Sequence, residues 1–175
     1  MKKKILLFFS FLFTFSVIAC SKAPEIDEEE LKQFVIEYDD ALSKGWSESD
    51  EIIPKDVEKN FFTPNTGLDH CSNKYWFIYE DEIEFRYIEK VPRDEYDVFG
   101  KNSYSVGYRR KVLYEIKGNL LVPVMGNRDN YGYNGAFVAQ VDNELKVTFA
   151  YPDSCWVKEK HLPALIKRKG LVYAE

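Results

Sequence analysis

Tyr75-Trp76-Phe77-Ile78-Tyr79, then Glu80-Asp81-Glu82, then Ile83-Glu84-Phe85-Arg86-Tyr87, is the stretch that decides the fold class. Tyr75, Phe77 and Tyr79 alternate with Trp76 and Ile78, which is the period of a strand and not of a helix. A three-residue loop at Glu80, Asp81 and Glu82 predicts a hairpin with Tyr79 opposite Ile83 and Phe77 opposite Phe85, so that both apolar sets share one face. The same period continues downstream. Tyr104 to Lys117 reads as one long strand that turns at Gly118-Asn119 into Leu120 to Met125. Tyr133 to Val141 then pairs with Leu145 to Tyr151 through Asp142, Asn143 and Glu144, which sets Phe137 against Phe149 and Val141 against Leu145.

Upstream of these strands the period is helical. Asp27 and Glu30 have capping-box spacing, and the acidic turn Glu28-Glu29-Glu30 suits the positive end of a helix dipole. Leu31, Phe34, Val35, Tyr38 and Leu42 fall on one face, and Gly45 stands where a C-terminal cap belongs. Pro54 to Phe62 predicts a short second helix with Pro at its start and Thr63-Pro64 ending it. Pro92 to Phe99 predicts one or two helical turns stopped by Gly100. Leu162, Leu165 and Ile166 predict a last short helix carrying Lys167, Arg168 and Lys169.

The order is two helices, two strands, a helical turn and four strands. It predicts an α+β domain in which N-terminal helices pack on a curved six-strand antiparallel meander sheet. That order resembles the NTF2-like roll, and a small meander barrel is the alternative. Cys71 precedes the first of these strands and Cys155 follows the sixth; six antiparallel strands put both points at the same end, so barrel closure could bring the cysteines together.

The first twenty residues address the chain. Lys2, Lys3 and Lys4 precede an apolar run from Ile5 to Ile18. At about 14 residues the run is shorter than the ~20 of a spanning helix, and it ends at small Ala19, so it reads as an export signal. Val17-Ile18-Ala19-Cys20 resembles the lipobox of bacterial lipoproteins. The resemblance implies diacylglycerol on the Cys20 sulfur, cleavage before Cys20 and acylation of the new terminus. The division is then 1–19 signal peptide, 20–26 lipidated tether and 27–175 a single α+β domain. By resemblance to enterobacterial sorting, Ser21 after the lipidated cysteine favours the outer membrane over the inner.

Composition narrows the partners. The chain has 24 basic and 29 acidic residues, and loss of the three leader lysines takes the net charge from −5 to about −8. Nucleic-acid binding depends on neutralising phosphates, so that balance argues against it. In an exported chain Cys71 and Cys155 are expected to form a disulfide, closing a loop of about 85 residues worth ~4 kcal/mol in the chain-entropy account. A zinc site of those cysteines with His70 and His161 is disfavoured by its spacing. No metal or cofactor is expected.

Two candidate sites remain. If Tyr104, Tyr108 and Tyr114 face inward, Arg110 does too; the same parity takes Tyr87 and Glu89 inward on the neighbouring strand. Glu89 and Arg110 would then form a polar patch in a pocket lined by Tyr87, Tyr108 and Tyr114, with a structural ion pair or a bulge at Arg109-Arg110 as the plainer outcomes. The polar loop 127–135 presents Arg128, Tyr131 and Tyr133 as a contact surface. The basic residues Lys158, Lys160, Lys167, Arg168 and Lys169 are either a lipid-headgroup contact or a solvated helix face. No catalytic constellation stands at a recognisable spacing. These readings predict a lipid-anchored envelope protein that binds a protein partner through tyrosines and does not catalyse; a small-ligand roll built on Glu89 and Arg110 comes second, and an envelope hydrolase third.

Overall fold

The computed structural model describes residues 25–68, 76–125, 130–150 and 154–175. The leader with Cys20, nearly all of the tether, and His70, Cys71 and Arg128 lie outside those residues.

The first helix, α1, runs from Glu28 to Glu48. The Asp27 carboxylate caps it by accepting from the amides of Glu29 (2.9 Å) and Glu30 (3.1 Å), two donors that a helix start otherwise leaves unpaired. Leu31, Val35, Tyr38, Leu42 and Trp46 form its buried stripe, and each aliphatic member contributes about 1.5–3 kcal/mol by leaving water. Gly45 does not end the helix, which continues for another turn. A Cβ at Gly45 would overlap the Pro54 ring, so its glycine serves the close approach of the next segment. That segment is α2, Lys55–Phe61, entered through Pro54.

The sheet departs from the six-strand antiparallel meander: it is mixed, with nine strands among the described residues. They are β1 (Phe62–Leu68), β2 (Trp76–Tyr79), β3 (Glu84–Lys90), β4 (Tyr104–Lys117), β5 (Leu120–Pro123), β6 (Tyr131–Val141), β7 (Glu144–Ala150), β8 (Cys155–Lys158) and β9 (Val172–Tyr173). Its path runs β1-β7-β6-β4-β2-β8, with β3 and β5 also on β4 and β9 on β5. The β1–β7, β2–β8 and β5–β9 pairs are parallel. β1 and β8 end the path, so the described sheet is open and not closed into a barrel.

The expected hairpin at Glu80–Glu82 does not form. β2 and β3 instead lie in line along one side of β4, with Tyr79 opposite Val112 and Glu84 opposite Arg109. The Glu80 amide donates to the Lys111 carbonyl (3.0 Å) and carries the chain onward along that edge. On the other side β6 and β5 follow the same strand. The last hairpin also turns more tightly than expected: Asp142 and Asn143 take positive φ (51° and 67°) in a two-residue loop, and Val141 faces Glu144. A bulge between Phe137 and Val138 then restores the expected Phe137–Phe149 pair.

Two short helices complete an α+β roll. Tyr96–Phe99 (α3) follows a 3-10 turn at Arg93–Glu95, and Leu162–Lys169 (α4) ends at Gly170 in the left-handed region (φ 65°). α1 packs on the inner face, where Tyr38, Leu42 and Trp46 join Ile78, Val106, Tyr108, Val138, Val157 and Leu165 in one core.

Candidate functional site

Within β4 the side chains alternate. Val106, Tyr108, Arg110 and Val112 enter the core, and Gly107, Arg109 and Lys111 face outward. Arg110 is therefore inward, only 1% exposed, as its parity predicted. Its partner is different. Glu89 lies opposite Ser105 on the exposed side of β3, and a bulge after Phe85 turns Tyr87 outward as well. Tyr114, farther along β4, is half-buried against Tyr173 (ring centroids 5.6 Å). The Glu89–Arg110 patch is thus not assembled; of the five residues grouped there, only Tyr108 and Arg110 meet.

The acid that meets Arg110 comes from α1. Asp39, also 1% exposed, takes the Arg110 Nη2 group and the hydroxyls of Tyr79 (2.8 Å) and Tyr108 (3.3 Å). The guanidinium lies among three rings, its carbon 4.6 Å from the Tyr79 centroid, 5.0 Å from Tyr108 and 5.3 Å from Trp156, a spacing at which the ring faces stabilise the cation. Lys158 Nζ stands 3.6 Å from Asp39 and 3.5 Å from Asp40. Asp40 then leads to the surface, where the same oxygen meets Lys160 (2.6 Å) and His161 Nε2 (3.2 Å).

Burial, and then the Asp39 charge, push the Tyr79 and Tyr108 hydroxyls well above the ordinary tyrosine range. Burial by itself would lower the Arg110 pKa, but Asp39, helped by Tyr79 and Tyr108, raises it. Burial likewise opposes ionisation of Asp40, and the Lys160 hydrogen bond, the Lys158 charge and His161 together overcome it and hold that carboxyl below the usual range. Both Asp39 oxygens are committed, which suits fastening α1 to β4 more than moving a proton.

Asp39, Asp40 and Trp156 were not among the sequence candidates, and Lys158 was grouped only with the C-terminal bases. One signal was present: Asp39 continues the Leu31–Val35–Leu42–Trp46 stripe, and an acid on an apolar helical stripe calls for a buried cation.

The outward face carries the second group. Arg109 donates through Nε to Glu84 (2.6 Å) and lies over the Tyr131 ring (4.2 Å). Its hydrogen bond to Glu84 raises its pKa and lowers that of Glu84. In the register, Tyr133 faces Arg109, Tyr131 faces Lys111, and Gly135 faces Gly107. Tyr87 lies across Gly107, where a Cβ would overlap its ring. Tyr133 is 65% exposed and Tyr87 47%, so rings stand at two corners of a face floored by two glycines.

Cys155 is buried and faces Trp76, five positions after Cys71 in the chain. Of the five C-terminal bases, Lys158 is buried, Lys160 pairs with Asp40, and Arg168 and Lys169 both bind Asp50 (2.8 Å each). Those two hold Asp50 down to about 2, and Arg168 also donates to the carbonyls of Trp46 (2.8 Å) and Ser47 (3.0 Å) at the end of α1.

No protein-family model matches the chain, and no curated protein matches it. Among solved structures it is similar to a de novo designed NTF2 fold protein, NT-9, at 11% identity and a TM-score of 0.34, over 85% of this chain and all of that one. A TM-score of that size does not establish a common fold.

Proposed function

We propose that this is a non-catalytic interaction protein of the bacterial cell envelope, anchored by lipid on Cys20 to the outer membrane, which meets a protein partner on the outward face of β3, β4 and β6. The observation that carries the reading is the exposure of Tyr87 and Tyr133 beside Arg109 and Tyr131 on a glycine-floored face. Tyrosine and arginine are the residues that dominate binding energy at protein interfaces, because they bring large, stiff, amphipathic area. The Val17–Cys20 lipobox supports the address, and helices followed by one long strand paired on both sides support an NTF2-like roll.

A photo-crosslinking residue placed at Tyr133 in cells, and another at Lys55 as a control on α2, test the contact. One adduct formed only from position 133, and lost on Arg109→Ala and Tyr87→Ala in folded protein, supports it. Equal adducts from both positions, or persistence in both variants, would overturn it. Cys20→Ser tests the anchor separately, with release from membranes and loss of acyl labelling expected.

A further inference from the structure

We infer that the interior of the roll, at Arg110 and Trp156, binds the carboxylate of a small ligand, independently of the outward face. Arg110 makes its polar contacts through Nη2 alone: Nε and Nη1 have no acceptor among the described residues, and neither has Trp156 Nε1. Both side chains are more than nine-tenths buried. Guanidinium and indole N–H groups only donate, so this corner of the core holds several hydrogens and lacks an oxygen to receive them. Natural cores rarely leave such groups unmade, and an unfilled set points to a missing partner.

The chemistry of that partner follows from the donors. A water molecule would accept from one or two of them but would bring two further hydrogens to a place where the Asp39 oxygens are already committed to Arg110, Tyr79 and Tyr108. A carboxylate accepts at both oxygens, brings no hydrogen, and matches the planar fork of a guanidinium. Charge points the same way. Arg110, Lys158 and Lys160 oppose Asp39 and Asp40 across one connected group, which leaves one positive charge over when His161 is neutral. The Tyr79 and Tyr108 rings flank the guanidinium and screen it from water. Entry lies at Trp156. It is the most exposed member of the cage at 6%, stacks on Phe77 (4.7 Å), and rests its outer ring where Gly132 has no side chain. Displacement of that ring would uncover backbone at Gly132, directly opposite Arg110.

The test is a titration of the folded protein with sodium acetate and with sodium benzoate, each against sodium chloride at equal ionic strength, following the Arg110 Nε–H and Trp156 Nε1–H resonances by NMR. The expected result is a saturable downfield movement of both signals with carboxylate and none with chloride. Trp156→Phe keeps a ring but removes the N–H, and should weaken binding about tenfold, the equivalent of one hydrogen bond. Arg110→Lys should abolish the response at Trp156; if that variant does not fold, Trp156→Phe decides alone. Equal movement in chloride, movement without saturation, or wild-type affinity in Trp156→Phe would each overturn the site. So would an acetate-soaked crystal with water, and no carboxylate, on these N–H groups.

Discussion

Asp39→Ala should be among the most damaging single substitutions in the domain. The variant leaves the Arg110 guanidinium in a 1% exposed position with no counter-charge, an arrangement that costs about 3–5 kcal/mol where one member of a buried pair is removed. It also takes the acceptor from the Tyr79 and Tyr108 hydroxyls, each worth ~1–3 kcal/mol when stranded. These losses share one network and do not add. A net loss of roughly 4–6 kcal/mol follows, against a total stability of about 5–15 kcal/mol for a domain. Urea unfolding followed by tryptophan fluorescence measures it, since Trp46, Trp76 and Trp156 are all buried. The midpoint should fall sharply with little change in slope. Asp39→Leu with Arg110→Met should regain the part of the loss that comes from the stranded guanidinium, because a matched apolar pair carries no desolvation cost, while the Tyr79 and Tyr108 hydroxyls stay without their acceptor. Asp50→Ala, which removes an exposed partner of Arg168 and Lys169, should cost no more than about 1 kcal/mol. A loss below ~1 kcal/mol for Asp39→Ala, or a double variant as unstable as the single, would refute the reasoning.

Three other outcomes follow from the same packing. Gly132→Ala would drive a methyl into the Trp156 ring and should cost about 1–3 kcal/mol by overpacking, read as a lowered urea midpoint with a changed Trp156 environment. Tyr38, Tyr79 and Tyr108 have raised pKa values in the folded chain; the unfolded chain therefore loses these protons first, and stability should hold below about pH 10 and fall steadily above it. Alkaline titration of the midpoint checks this, and a flat profile to pH 11 or so would contradict the burial of the hydroxyls. Under the proposed export and lipidation of Cys20, the protein denatured without reductant should show no reactive thiol, and two, those of Cys71 and Cys155, after reduction.

Legibility in the sequence tracked how local the determining contacts are. α1, β4, the turn before Gly100 and α4 are fixed by caps, by period and by neighbouring glycines, all within a few residues. β1 was invisible because Phe62-Thr63-Pro64-Asn65-Thr66-Gly67-Leu68 has no alternation and carries Pro and Gly. It is a strand because it lies parallel to β7, with the Thr66 hydroxyl donating to the Val147 carbonyl (2.7 Å). β8 was hidden by Lys158, a cation that belongs in a buried strand only once Asp39 is known to face it. The two candidate sites divide in the same way. Arg110 was legible as an inward charge from parity in β4, whereas its partner sits 71 residues away on a helix. Glu89 was misplaced because one bulge between Phe85 and Tyr87 reverses the parity of everything after it.

The position of α1 also governs how this chain can reach its folded state. The helix comes first, yet the groups that receive it arrive late: Arg110 follows Asp39 by 71 residues, and the Lys158 amide that donates to Ser43 follows it by 115. A chain delivered from its N-terminus must therefore carry a helix bearing an uncovered aromatic stripe and a bare carboxylate until nearly its whole length has emerged. Such non-local closure makes folding slow and all-or-none, and leaves the nascent chain exposed to aggregation. Shortening the chain before β8 would accordingly yield no smaller domain; it would leave the first helix without a seat and the product to proteases or chaperones.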